Sequence, residues 1–161
     1  MLTLTHEDDF DILDLNKKLD RTMARVFMGK NASFLAPLMT KMDFHWTNDP
    51  ANPTAATDGL RLWWDVKFFL KLDDQTRETV LVHELWHVAH LHMVRREHRD
   101  SRIWNWACDI RINNDLKKMG YVFHNFTPWE DMSLDIDPVT RKYEPMVEEK
   151  IYEKLKDKNP T

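Results

Sequence analysis

One cysteine, Cys108, stands in these 161 residues, so an internal disulfide is excluded and a reducing compartment suits the chain. Glycine is almost as scarce, with Gly29, Gly59 and Gly120 the only three. So little turn chemistry favours long helices over a turn-rich all-β fold. No apolar run approaches the ~18 residues of a membrane span. Met1 to Asp14 is acidic where a secretory signal would be basic and then apolar. Nor is there an excess of positive charge: the formal net charge is −4, which argues against a nucleic-acid partner even for the basic stretch Arg95–Arg102. These absences predict a cytoplasmic protein that binds neither membrane nor nucleic acid.

What is present fits one globular domain over residues 1–161. Ile12, Leu15, Leu19, Met23, Val26 and Phe27 recur at helical spacing, predicting a helix from Asp8 to Met28 that Gly29 ends. A short helix, Ala32–Lys41, follows. Met42–Thr47 and Leu60–Trp64 alternate as strands and are expected to pair as a hairpin across the polar, proline-containing loop Asn48–Gly59. A long helix runs from an Asp73 or Asp74 cap to about Glu97, and a second from an Asp100–Ser101 cap to Met119, stopped by Gly120. Tyr121–Tyr143 reads as irregular and Pro145–Lys156 as a last helix. Of the seven tryptophans, Trp63, Trp64, Trp86, Trp104 and Trp106 cluster centrally and are expected to fill the core, with a substrate-lining role open to one or two.

Chemistry concentrates between His83 and His98, where five of the eight histidines fall. His83-Glu84-Leu85-Trp86-His87 is an H-E-x-x-H pattern, which arises by chance in this composition with a probability of roughly 2%. Residues four apart share a helix face, ~6 Å apart along the axis, so the two imidazoles can grip one Zn²⁺. Glu84 lies ~100° round the helix, within reach of a water on that ion, and is the expected catalytic base. The neighbours Val80, Leu81, Val82, Leu85, Val88, Ala89 and Leu91 are apolar, so the helix is buried. Burying Glu84 and two histidines without partners costs several kcal/mol, a cost that a metal removes.

A catalytic zinc takes three protein ligands and a water. His90 shares the face but lies ~10 Å along the axis from His83. His92 is ~180° away if the helix continues, and no glycine is present to turn the chain. Asp109 is preferred: it is central to the stripe Asn105, Asp109, Ile112, Asn113 and Leu116 on the next helix, where a core-facing carboxylate needs a partner. Asn105 and Asn113, one turn either side, read equally as outer partners of the ligands or as structural asparagines. Arg95 or Arg96 is either a solvated helix end or a partner for Asp109 or a substrate carboxylate. His124, Tyr121 and Arg95 are candidates to stabilise an oxyanion.

The run His83–His92 followed by an arginine, then Trp104-Asn105-Trp106-Ala107-Cys108-Asp109 and Asn113, resembles a family of predicted metallopeptidases of bacteria and phages, often joined to a von Willebrand-type A domain. Thr57-Asp58-Gly59 and Val147–Tyr152 match its weaker landmarks. The resemblance implies an α+β, zincin-like fold: helix-rich, with a small sheet packed on the H-E-x-x-H helix. It implies a zinc-dependent peptidase acting on protein or peptide, and a role for His92. No A domain lies within these residues, so a function that needs such a protein partner is not implied. The competing reading is a catalytically silent, zinc-stabilised binding or regulatory protein. By analogy with zincins, the strand Leu60–Trp64 would hold substrate by β-augmentation.

Overall fold

The computed structural model of the chain describes residues 10–124 and 146–158. Asp11 caps α1 (Ile12–Phe27) by accepting from the Asp14 N–H at 3.1 Å. The helix buries Leu15, Leu19 and Val26; the expected start at Asp8 lies outside the described residues. α2 (Ala32–Lys41) buries Leu35 and Met39 against it. β1 (Asp43–Thr47), β2 (Ala55–Thr57) and β3 (Arg61–Asp65) then form one sheet in the order β1-β3-β2.

That order corrects two expectations. β1 and β3 pair in parallel, Phe44 opposite Leu62 and Trp46 opposite Trp64, so they are not a hairpin. The hairpin is β2 with β3, and β2 lies inside the stretch read as loop. Its sequence, Ala-Ala-Thr, is too short and too weakly apolar to show a period. The strand Leu60–Trp64 is consequently the middle of the sheet, and the edge beside it belongs to β2.

The buried face of β1 and β3 carries Phe44, Trp46, Leu62 and Trp64. Phe69 of α3 (Val66–Lys71) meets both tryptophan rings edge-on, with centroids 4.9 and 5.0 Å away. Behind them runs α4 (Asp74–Ala89), capped by Asp73 and burying Val80, Leu81, Val82 and Leu85. Arg77 of α4 is buried too; its Nε donates to the Phe69 carbonyl at 3.0 Å and its guanidinium lies over the Phe69 ring.

α4 is shorter than its sequence suggests. It ends at Ala89, and Leu91 adopts the left-handed conformation (φ 55°, ψ 37°) before a short α5 (His92–Arg95). No glycine is needed because side chains hold the turn: Arg95 Nη1 donates to the His90 carbonyl at 3.0 Å, and Trp104 Nε1 to that of His92 at 2.8 Å. Arg95 thereby satisfies an oxygen that the break leaves open, while Trp104 is a second donor to a carbonyl that also accepts from the Arg96 N–H.

α6 (Ser101–Lys118), capped by Asp100 and followed by Gly120 at φ 90°, uses all its faces. Ile112 and Leu116 join the main core, while Ile103, Trp104, Ala107, Cys108 and Ile110 form a second cluster with Ile151, Tyr152 and Leu155 of α7 (Glu148–Lys158). Of the five central tryptophans, Trp64 and Trp104 are fully buried as expected, together with Trp46, while Trp63, Trp86 and Trp106 are half-buried. No described helix is long and apolar enough to cross a membrane. The chain is thus α+β, helix-rich with a small sheet.

Two measurements test this account. Leu91→Gly removes a left-handed cost of ~1–2 kcal/mol against a chain-entropy loss of ~0.5–1 kcal/mol. Since Leu91 is 59% exposed, urea denaturation should show a stability unchanged or raised by up to ~1 kcal/mol. A clear loss would mean that its side chain carries the turn. Asp73→Ala should cost ~1 kcal/mol at neutral pH. Thr76's backbone N–H, then its hydroxyl, hold the Asp73 carboxyl down at about 2 against its ordinary 3.8, with burial opposing and His124 assisting. That capping contribution is full above the unfolded value and lost as pH falls through the folded one. The gap between the two proteins should therefore close as pH falls from about 4 to 2.

Candidate metal centre

α4 projects His83 and His87 from one face, and α6 crosses it with Asp109 opposite. Asp109 Oδ1 lies 2.9 Å from His83 Nε2 and 3.0 Å from His87 Nε2, and the two nitrogens are 3.1 Å apart. Two imidazole nitrogens and a carboxylate oxygen converging this closely match the donor types and number of a catalytic zinc, whose bonds of ~2.0–2.2 Å set neighbouring donors a little over 3 Å apart. The donor set fits such an ion.

Both imidazoles are oriented from behind. His83 Nδ1 donates to Asn113 Oδ1 at 2.7 Å, which leaves the Nε2 lone pair for the common point. Both asparagines line the cavity beside the centre, Asn113 buried and Asn105 exposed. His87 Nδ1 is 2.9 Å from His92 Nδ1. His92 gets there because the chain turns at Leu91, so the geometry expected of a continuous helix does not hold. It sits behind His87 and not among the three converging atoms. His90, His92 and Glu148 form a second group of potential ligands beside it.

Several expected partners are engaged elsewhere. Arg95 pairs with Glu148 at 2.8 Å and with Glu149 at 2.6 Å, and so does not serve Asp109. The Tyr121 hydroxyl donates to the Lys30 carbonyl at 3.3 Å and His124 Nδ1 lies 2.8 Å from Asp73, which draws both away from the centre. Arg96 does line the cavity; it is exposed and its side chain makes no hydrogen bond or ion pair among the described residues.

The ionisable groups of the centre shift one another. Burial disfavours the His83 imidazolium, but the hydrogen bond and charge of Asp109, with Glu84 and Asn113 adding, outweigh it and raise His83 to about 9. Burial likewise disfavours the Asp109 carboxylate, and the hydrogen bonds and charges of His83 and His87 outweigh it, holding the group well below the usual range. Glu84 differs: burial pushes it upward, His87 and His83 pull against that, and Asp109 adds to the rise. It is 6% exposed and its carboxylate makes no hydrogen bond among the described residues.

These groups form one wall of a cavity of about 500 Å³. Ala55, Ala56, Thr57 and Asp58, from β2 and the turn after it, form the facing wall, and Met93, Arg96 and Asn105 line it as well. β2 in this position, and the donors Arg95 and Trp104 that hold the turn, are what sequence patterns missed. The only sequence signal for Glu148 was its place in the Val147–Tyr152 landmark. Asn113→Leu should weaken zinc binding by ~10–100-fold while the metal-free protein stays folded, read by chelator competition and circular dichroism. Unchanged affinity would make Asn113 a structural residue only.

Comparison with known proteins places this geometry. A search of curated proteins and a search of solved structures each found no match. The family model described as "putative metallopeptidase domain" matches residues 16–160, almost the whole chain. The family implies a metal, and His83, His87 and Asp109 are a group able to hold one. The chain belongs to this metallopeptidase-domain family.

Proposed function

We propose that the chain is a single zincin-like domain that hydrolyses peptide bonds with the help of one zinc ion held by His83, His87 and Asp109. The observation that carries this reading is Glu84: a buried carboxylate, hydrogen-bonded to nothing among the described residues, opening on a cavity beside three converging donors. A carboxylate kept in that state for structure alone is costly. One that must take and return a proton has to be free of fixed donors.

When bound, zinc acts as a Lewis acid that acidifies water and polarises a carbonyl. The chain does the rest. Asp109 and the two imidazoles would hold the ion at the wall of the cavity. Glu84 takes the proton of the attacking water and delivers it to the leaving nitrogen, so one group serves as base and then as acid. A peptide lies in the cavity against β2, whose outer edge has no strand partner among the described residues, and pairs with it as an added strand. This moves the substrate-binding edge from Leu60–Trp64 to Ala55–Thr57. Arg96 and Asn105 then face the bound chain and take the role of contacting its polar groups. A lone buried Cys108 suits a cytoplasmic setting.

Purified protein should carry about one zinc per chain, lost on Asp109→Ala with folding retained, by elemental analysis and circular dichroism. Glu84→Gln should keep the metal and lower hydrolysis of a peptide library by ~10²–10⁴-fold. Metal bound equally in Asp109→Ala removes Asp109 from the ligand set. A library cleaved as fast by Glu84→Gln as by wild type sinks the assignment of the base. A folded protein that binds zinc, with no cleavage by either form, supports the silent binding protein.

A further inference from the structure

The proposed reaction makes no use of a second buried carboxylate. Glu148, the first residue of α7, is 2% exposed and lies fifty-six residues along the chain from His92. Its Oε2 accepts from His92 Nε2 at 2.5 Å and from Arg95 Nη1 at 2.8 Å. His92 is 3% exposed, and its other ring nitrogen faces His87 Nδ1 at 2.9 Å. One arrangement of protons satisfies the contacts behind His87. Glu148, an ionised acceptor of two bonds, requires the proton of a neutral His92 to sit on Nε2. His92 Nδ1 is then an acceptor, so His87 donates from Nδ1. The His87 Nε2 lone pair is left pointing at His83 Nε2 and Asp109 Oδ1.

We propose that Glu148, acting through His92, is a positioning residue for the metal centre: it fixes the tautomer and ring orientation of His87 and makes docking of α7 a condition for a complete site. This rests on the reading that His87 binds the ion. The alternative use of these groups, a second ion held by His90, His92 and Glu148, fits less well. A cation there would displace the His92 Nε2 proton and meet the Arg95 guanidinium on the same carboxylate oxygen. The His90 and His92 rings are stacked, with planes 10° apart, and His90 Nδ1 is 4.0 Å from Oε2. The rest of α7 explains how the carboxylate is delivered: Ile151, Tyr152 and Leu155 pack on Ile103, Trp104 and Ala107, and Trp104 also holds the His92 carbonyl.

The full-length Glu148→Gln protein tests this against Glu149→Gln, which also removes a partner of Arg95 but does not touch His92. Zinc affinity is read by chelator competition, and the ligand field by the visible spectrum of the cobalt(II)-substituted protein. Glu148→Gln should bind zinc ~10–100-fold more weakly and shift the cobalt bands, while Glu149→Gln stays within about twofold of wild type. Should Glu148→Gln fail to fold, His92→Leu serves, since it removes the acceptor behind His87 and should show the same loss. Affinity and spectrum unchanged in the folded variant overturn the proposal. So does a wild type holding two zinc ions of which Glu148→Gln loses one, because Glu148 is then itself a ligand. Wild type that binds neither zinc nor cobalt instead removes the metal reading beneath it, a distinct result.

Discussion

Ionisable groups buried in an apolar helix layer must find partners or give up their charge, and this constraint organises the interior of the molecule. His83, Glu84, His87, His92, Asp109 and Glu148 stand among Val80, Leu81, Leu85, Trp104 and Ala107. Leaving any of them charged and alone costs several kcal/mol. Five of the six are tied into one connected set: Asn113 to His83, His83 and His87 to Asp109, His87 to His92, and His92 to Glu148. Arg95 closes the far end and brings it close to electrical balance. Glu84 alone is left out, although the same elements surround it. The other five are tied together, while this carboxylate is left free among the described residues, as a group that takes and returns a proton requires.

The same constraint accounts for the break in α4. Continued past His90, the helix would carry His92 to the side away from His87. Turning at Leu91 costs ~1–2 kcal/mol of left-handed strain. It brings the His92 ring behind His87; Arg95 donates to the His90 carbonyl that the turn exposes, and Trp104 adds a second donor to that of His92. Each of these side chains has a second task. Arg95 neutralises Glu148, and Trp104 packs with α7. Sharing tasks in this way couples the turn, the docking of the last helix and the metal centre, so none of the three is expected to vary independently.

Much of this could be read from the sequence. The H-E-x-x-H spacing, the apolar flanks of α4 and the position of Asp109 one helix later were enough to predict that His83, His87 and Asp109 converge. α2 appears with the expected bounds, and α4 and α6 start at or next to the expected caps. The errors share one physical origin: they concern contacts whose cause lies far along the chain. Nothing near Leu91 announces a turn, because its donors are four and thirteen residues further on. β2 carries no alternation of its own and becomes a strand only through pairing with β3. β2 takes the antiparallel place beside β3 that a hairpin reading gives to β1, and β1 pairs in parallel on the other side. His92 was implied by resemblance to the family and excluded by helix geometry; the turn removes the conflict.

α6 shows why periodicity falls silent at such a centre. Core helices are recognised by one apolar stripe, yet this one meets three environments. Ile112 and Leu116 face the main core, Ile103, Ala107 and Ile110 face α7, and Asn105, Asp109 and Asn113 face the cavity and its ligands. Apolar residues on two sides leave the polar stripe as the informative one. On a helix buried on two other sides, an aspartate and two asparagines four residues apart form a polar stripe, from buried Asn113 through half-buried Asp109 to exposed Asn105. The spacing of one turn sets Asp109 between two side chains able to support its neighbours. Asn113 does so through His83, while Asn105 looks onto the cavity, so the stripe runs from the interior of the centre to the surface that a bound peptide would meet.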